Sequence, residues 1–140
     1  MNKIVAMFLS AFLAGLLCQT ALADSSKEKT AEGAAIAWLS LVDRGKYAES
    51  WAESASAFKG TVKKETWIEN AKGVRIPLGK ITSRKLLSSK YTRTLPGAPD
   101  GEYVVIQYRT SFEKKQSAVE TITPMLDKDG KWRVAGYFIE

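Results

Sequence analysis

The chain contains no histidine, and its single cysteine is Cys18. These two absences remove whole classes of chemistry. Without imidazole there is no histidine-activated nucleophile, and without histidine or paired thiols there is no Cys/His zinc site. A lone thiol cannot form a disulfide within the chain, so the fold must be held by an ordinary core. Long apolar runs are also scarce, and the clearest one spans Ile4 to Leu17.

That run follows a single basic residue, Lys3, and is followed by Ala21-Leu22-Ala23. Basic start, apolar stretch and small-residue site are the parts of a secretory signal peptide, which places cleavage after Ala23. A membrane anchor would need about 20 apolar residues, more than are present. Leu17 immediately before Cys18 argues against lipid attachment at the thiol, since a small residue is expected there. The reading is therefore residues 1–23 as signal peptide and 24–140 as one domain, periplasmic or secreted. Cleavage would remove Lys3 and no acid from 21 basic and 15 acidic residues, leaving a net charge of +5. It would also remove the only thiol.

What remains is helical first and strand-rich second. Ser25-Ser26-Lys27-Glu28 has the form of a capping box, which predicts a helix starting there. Ala31, Ala34, Ala35, Trp38, Leu41 and Val42 recur at spacings of three and four, and Gly45 supplies a stop. Tyr47, Ala48, Trp51 and Ala52 repeat that spacing on a second short helix. Ala55 to Gly60 reads as a connector plugged by Phe58. Thr61 then caps a third helix in which Trp67, Ala71 and Val74 share a face, ending at Pro77.

Residues 80–93 read as a strand, and Thr94 to Gly101 as a projecting loop dense in turn formers. From Tyr103 to Phe112 apolar and polar residues alternate with period two, with Val104, Ile106, Tyr108, Thr110 and Phe112 on one face. A turn at Lys114 to Gln116, a strand from Ser117 to Leu126, a hairpin loop at Asp127 to Gly130 and a last strand from Lys131 to Ile139 complete the pattern. Pro124 and Gly136 suggest bulges or bends in adjacent strands. Helices followed by a meander predict an α+β domain, with N-terminal helices packed on one face of a curved four-stranded antiparallel sheet. Trp38, Trp51 and Trp67 from the helices, and Ile106, Tyr108, Phe112, Trp132, Val134 and Phe138 from the sheet, are the expected core.

Arg84-Lys85-Leu86 with Tyr91, the run Leu95-Pro96-Gly97-Ala98-Pro99-Asp100-Gly101-Glu102-Tyr103, Phe112, Val119-Glu120-Thr121, and Asp129 to Tyr137 resemble the exported bacterial proteins grouped as domain of unknown function 4019. The resemblance covers nearly all of the chain after residue 23. It implies export and a curved α+β domain of the cone-shaped nuclear-transport-factor or cystatin-like type. It implies no activity and brings no catalytic residues with it.

Three functional readings follow. The first is a non-catalytic module that binds a small molecule or an envelope protein in a cleft under the sheet, lined by Trp51, Trp67, Tyr103, Arg109, Glu120 and Tyr137. Arg109 is a candidate partner for Glu120 across the β-turn, although counting from the turn does not place them directly opposite. The ordinary reading of that pair is a surface ion pair contributing little. The second is an interaction protein with a basic surface of Lys63, Lys64, Lys72, Arg75, Arg84 and Lys85, which would meet anionic envelope components or the membrane surface. Solvated surface is the bland alternative for those charges. The third is a small hydrolase or isomerase using Glu120 with Tyr103 or Tyr137 as donor, a reading without a nucleophile or paired-carboxylate motif behind it. No cofactor, metal or nucleic acid is expected, and a second copy of the chain is a further candidate partner.

Overall fold

The computed structural model describes residues 6–140, with side chains from Thr20 onward. Lys3, the start of the apolar run and the side chain of Cys18 lie outside the described residues. Among the described residues no helix is long and apolar enough to cross a membrane. Four helices precede four strands: α1 (Ala6–Asp43), α2 (Tyr47–Ala52), α3 (Ser56–Thr61), α4 (Lys64–Leu78), β1 (Ile81–Thr92), β2 (Tyr103–Phe112), β3 (Lys115–Leu126) and β4 (Trp132–Ile139). The strands form an antiparallel meander in the order β1-β2-β3-β4.

The helix expected to begin at Ser25 instead runs unbroken through it, so Ser25 caps nothing in the uncleaved chain. In a continuing helix each amide finds the carbonyl four residues back, and no side-chain cap is needed. Of the expected stripe, Ala31, Ala35, Trp38 and Val42 are buried and Ala34 and Leu41 half-buried, while Leu39 joins the buried side chains. These side chains pack α1 across all four strands. Gly45, at φ 74°, turns the chain into α2.

Three details of the helical half depart from expectation. Residues 56–61 form α3 rather than a plain connector. Thr61 ends α3, and Lys63 occupies the cap position of α4. Pro77 lies inside α4, which continues one residue further before Gly79 adopts φ 76°. Pro77 forfeits one backbone hydrogen bond of the last turn, and the helix ends one residue later. Val74 points outward, and Arg75 takes the buried position beyond Trp67 and Ala71.

In the sheet, Val104, Ile106, Tyr108, Thr110 and Phe112 are all buried, as the alternation predicts. The β2–β3 turn is tighter than expected, consisting of Glu113 and Lys114 alone. Because side chains alternate, a small change of turn decides which face each residue occupies. The resulting register sets Glu120 opposite Tyr108 and Arg109 opposite Val119.

A second shift decides the other end of the sheet. The β3–β4 pairing slips between Thr123 and Pro124, so that Thr123 faces Gly136 while Pro124 faces Val134 and Ala135 is left over. This is the bulge that Pro124 and Gly136 suggested. The extra residue reverses the parity of β4. Val134 and Tyr137 therefore face the helices, and Phe138, expected in the core, is 52% exposed on the uncovered face.

The edge of β1 is guarded where α1 crosses it. Glu28 accepts the backbone N–H of Tyr91 at 3.0 Å, and Lys27 donates to Glu102 at 2.7 Å and to the Tyr91 hydroxyl at 3.3 Å. Exposed lysines, Lys85 and Lys90, flank the exposed Leu86 and Leu87 on this edge strand, a common defence against pairing with another chain.

Two substitutions test this assignment of faces by chemical denaturation. Leu39→Ala is expected to cost about 2–5 kcal/mol, as a fully buried leucine should. Phe138→Ser is expected to stay within about 1 kcal/mol, as a surface site should. Reversed magnitudes would mean that β4 has the opposite parity.

Candidate functional site

Six elements send one side chain each into a polar cluster beneath α1. Asp43 comes from the end of α1, Arg75 from α4, Arg84 from β1, Thr110 from β2, Glu120 from β3 and Tyr137 from β4. Glu120 is at its centre and fully buried. Its Oε1 accepts from Arg84 Nε at 2.7 Å and from the Thr110 hydroxyl. Its Oε2 accepts from Arg84 Nη2 at 3.2 Å and from the Tyr137 hydroxyl.

Arg84 is shared between two carboxylates. Its Nη1 and Nη2 donate to Asp43 Oδ2 and Oδ1 at 2.8 and 3.0 Å. Arg75 adds one bond, Nη2 to Asp43 Oδ1 at 2.7 Å. The two guanidiniums and two carboxylates are formally neutral together, as charges withdrawn from water must be. Burial would raise the Asp43 carboxyl, but the bonds from Arg84 and Arg75 outweigh it and hold it below its ordinary value. Burial likewise opposes the Arg84 charge, which Asp43 and Glu120 nevertheless stabilise. The Tyr137 hydroxyl is pushed well up by burial and then by the Glu120 charge. Burial pushes the neighbouring Tyr108 up to about 12, with the Glu32 charge adding to it.

The chemical consequence differs between the two ends of the cluster. A carboxylate has about four lone-pair directions, and the four donors around Glu120 occupy them. Arg75 is the opposite case. It is 5% exposed, its Cζ lies 4.9 Å from the centre of the Phe112 ring, and its Nε and Nη1 are buried without any hydrogen-bond partner.

An aromatic layer flanks the cluster. Trp38 stacks at 5.5 Å against Trp67 and at 5.2 Å, edge-on, against Tyr137, while Phe58 meets Trp67 edge-on at 5.5 Å. Each indole is satisfied: Trp38 donates to Ser50 O and Ser54 Oγ, Trp67 to Ser50 Oγ and Trp51 to Val62 O. Two cavities open beside this layer. One, of about 570 Å³, lies between α1, α2 and the start of β4, against Trp38, Leu41, Glu49 and Trp132. The other, of about 270 Å³, lies between α4 and the end of β4, against Trp67, Asn70, Arg75, Tyr137 and Phe138.

Of the residues that the sequence marks as pocket-lining, Trp67, Glu120 and Tyr137 come together here. Trp51 is spent on tying α2 to the end of α3, through its indole bond to Val62 O at 2.8 Å. Tyr103 donates to Pro99 O at 2.6 Å and packs against its own loop. Arg109 is on the uncovered face, reaching Ser117 Oγ at 3.3 Å, so it is not the partner of Glu120. Of the basic residues, Lys63, Lys64, Lys72 and Lys85 are exposed, whereas Arg75 and Arg84 are drawn inward to Asp43 and Glu120. Among the described residues no group of three or more carboxylates or thiols is gathered to hold a metal ion.

Asp43 is not a candidate in the sequence reading, and Thr110 enters it only as part of the inward face of β2, yet Asp43 and Glu120 both leave a trace of the cluster there. Asp43 ends α1, where the helix dipole disfavours a carboxylate, so a cation was owed to it. Glu120 alternates with Ala118 and Ile122 on a buried face, a position where a charge needs partners.

A family profile described as protein of unknown function DUF4019 matches residues 34–137. The chain belongs to that family. The match runs from the last quarter of α1 to Tyr137 and therefore includes every residue of the cluster. No curated protein matches the chain, and no solved structure does.

Two outcomes follow for the DUF4019 cluster. Arg84→Leu strands two buried carboxylates and is expected to destabilise the fold by about 3–5 kcal/mol in denaturant titrations. The pH dependence should be flat through neutrality. Asp43 is depressed, so its contribution is present above the unfolded value near 4 and is lost as the pH falls through the lower folded value. Tyr137 is raised, so its contribution is present below about 10 and is lost above it. Thermal unfolding against pH should show a plateau bounded on the acid side by a step that weakens in Asp43→Asn.

Proposed function

We propose that the chain is an exported bacterial envelope protein whose folded part, residues 24–140, binds a small ligand without transforming it. The observation that carries this is the contrast within one cluster. Glu120, the residue best suited to be a base, has every acceptor direction filled, while Arg75 keeps two buried donors unfilled beside a cavity. A proton-transfer residue needs a lone pair within reach of substrate. A binding site needs unsatisfied polar groups converging on an apolar hollow.

The export half of the proposal rests on the sequence pattern of Lys3, the Ile4 to Leu17 run and Ala21-Leu22-Ala23. The contacts of Lys27 and Glu28 with β1 support it, because cleavage after Ala23 would leave those anchors in place. Ser25 would then sit near a new helix start, where its capping box has a use. The curved sheet under a helical layer also supports placing the domain among cone-shaped folds of the nuclear-transport-factor type. A basic contact surface is the weaker reading, because two of the six cations it would use are internal.

Native mass spectrometry of protein purified from the periplasmic fraction, together with N-terminal sequencing, tests both halves. The expected result is a chain beginning at Asp24 and carrying an adduct lost on denaturation. Retention of residues 1–23 in the exported fraction would overturn the processing claim. A bare polypeptide mass in every preparation would overturn the binding claim.

A further inference from the structure

We infer that the cavity between α4 and the end of β4 takes a small monocarboxylate with an apolar body, and that Arg75 holds its carboxylate. This rests on the ligand-binding reading and specifies its chemistry. Eight residues line the cavity, and Arg75 is the one among them with a charged side chain. The rest of the wall is apolar or aromatic, apart from Asn70 and the ring hydroxyl of Tyr137, and that hydroxyl is committed to Glu120.

The distribution of hydrogen bonds says why an acid is wanted. Asp43 gives two contacts to Arg84 and one to Arg75, and Glu120 gives both of its oxygens to Arg84. Arg84 is thus the fully compensated cation, and Arg75 is compensated by part of one carboxylate. Its Nε and Nη1 are out of water with no acceptor, a costly condition for a guanidinium. An acceptor that carries a charge relieves it about twice as well as a neutral one.

Asp43 and the Phe112 ring hold the guanidinium in place before anything binds, so little side-chain entropy is lost on binding. The volume of about 270 Å³ sets the size of the guest. An engineered apolar cavity of about 150 Å³ holds benzene, so this one has room for a ring with a short acid-bearing chain. Trp67 and Phe138 would cover its faces, with the half-exposed Phe138 and Val74 forming the mouth.

The test is titration of protein expressed from the full chain with phenylpropionate and with phenylpropanol, its neutral counterpart, followed by calorimetry and tryptophan fluorescence. Phenylpropionate is expected to bind at least about tenfold tighter, the ratio one charge-assisted hydrogen bond supplies. Arg75→Gln should bring the two affinities to near equality. Because that substitution also disturbs Asp43, a second variant protects the test. Phe138→Glu places an acid at an exposed mouth position and should weaken the carboxylate about fivefold or more beyond any loss seen for the alcohol.

Equal affinities for acid and alcohol, or a preference that survives Arg75→Gln, would overturn the inference while leaving a neutral-ligand site standing. Failure of both compounds to bind at millimolar concentration would overturn this ligand class. The mass of the co-purified adduct decides the parent reading separately.

Discussion

A carboxylate with no contact with water fixes the arrangement of this domain. Glu120 is on the third strand of the sheet, under the first helix, at a place where most proteins put a methyl group. Left alone there its charge would be a heavy cost to the fold. Instead it recruits one guanidinium, one hydroxyl and one phenol, and Arg84 in turn recruits Asp43 from the end of α1. The requirement spreads from residue to residue until every layer of the fold has contributed a group.

Such a network is not an economical way to gain stability. Well-packed apolar side chains of the same volume often do as well or better. What it gives is uniqueness of arrangement. Greasy surfaces can slide past one another by a turn of helix at modest cost, whereas four donors on one carboxylate have a single geometry. The cluster locks the axial position of α1 relative to β1 and β3, and through Asp43 it also fixes α4. That leaves Arg75 held by one contact to Asp43, with its Nε and Nη1 buried and unpartnered. The cavity beside it carries a charged side chain at one point in a mostly apolar wall.

Much of this was visible in the sequence. Period-two alternation located β2 and its inward face, the three-and-four spacing located the buried stripe of α1, and the Asp127 to Gly130 hairpin fell where its glycine indicated. The polar cluster was harder to read, because its members are scattered from residue 43 to residue 137 and each has an innocent local explanation. Arg75 and Arg84 resemble other cations in a lysine-rich stretch, and nothing local distinguishes a cation facing water from one facing a carboxylate 36 residues later. Arg109 is a candidate partner of Glu120 by proximity across the turn, with no register placing the two opposite. Alternation within β2 separates them: Tyr108 and Thr110 face the helices, so Arg109 between them faces away, opposite Val119.

The bulge at Ala135 acts on β4 as an inserted letter acts on a reading frame. Upstream of it Val134 faces the helices, and downstream the facing residue is Tyr137, three positions on instead of two or four. Were Ala135 paired like its neighbours, strict alternation along β4 would present the ring of Phe138, with no hydroxyl, to Glu120. Tyr137 would turn to solvent with its donor unused. One surplus residue, making no contact of its own with the cluster, thus determines whether the buried carboxylate has its fourth donor.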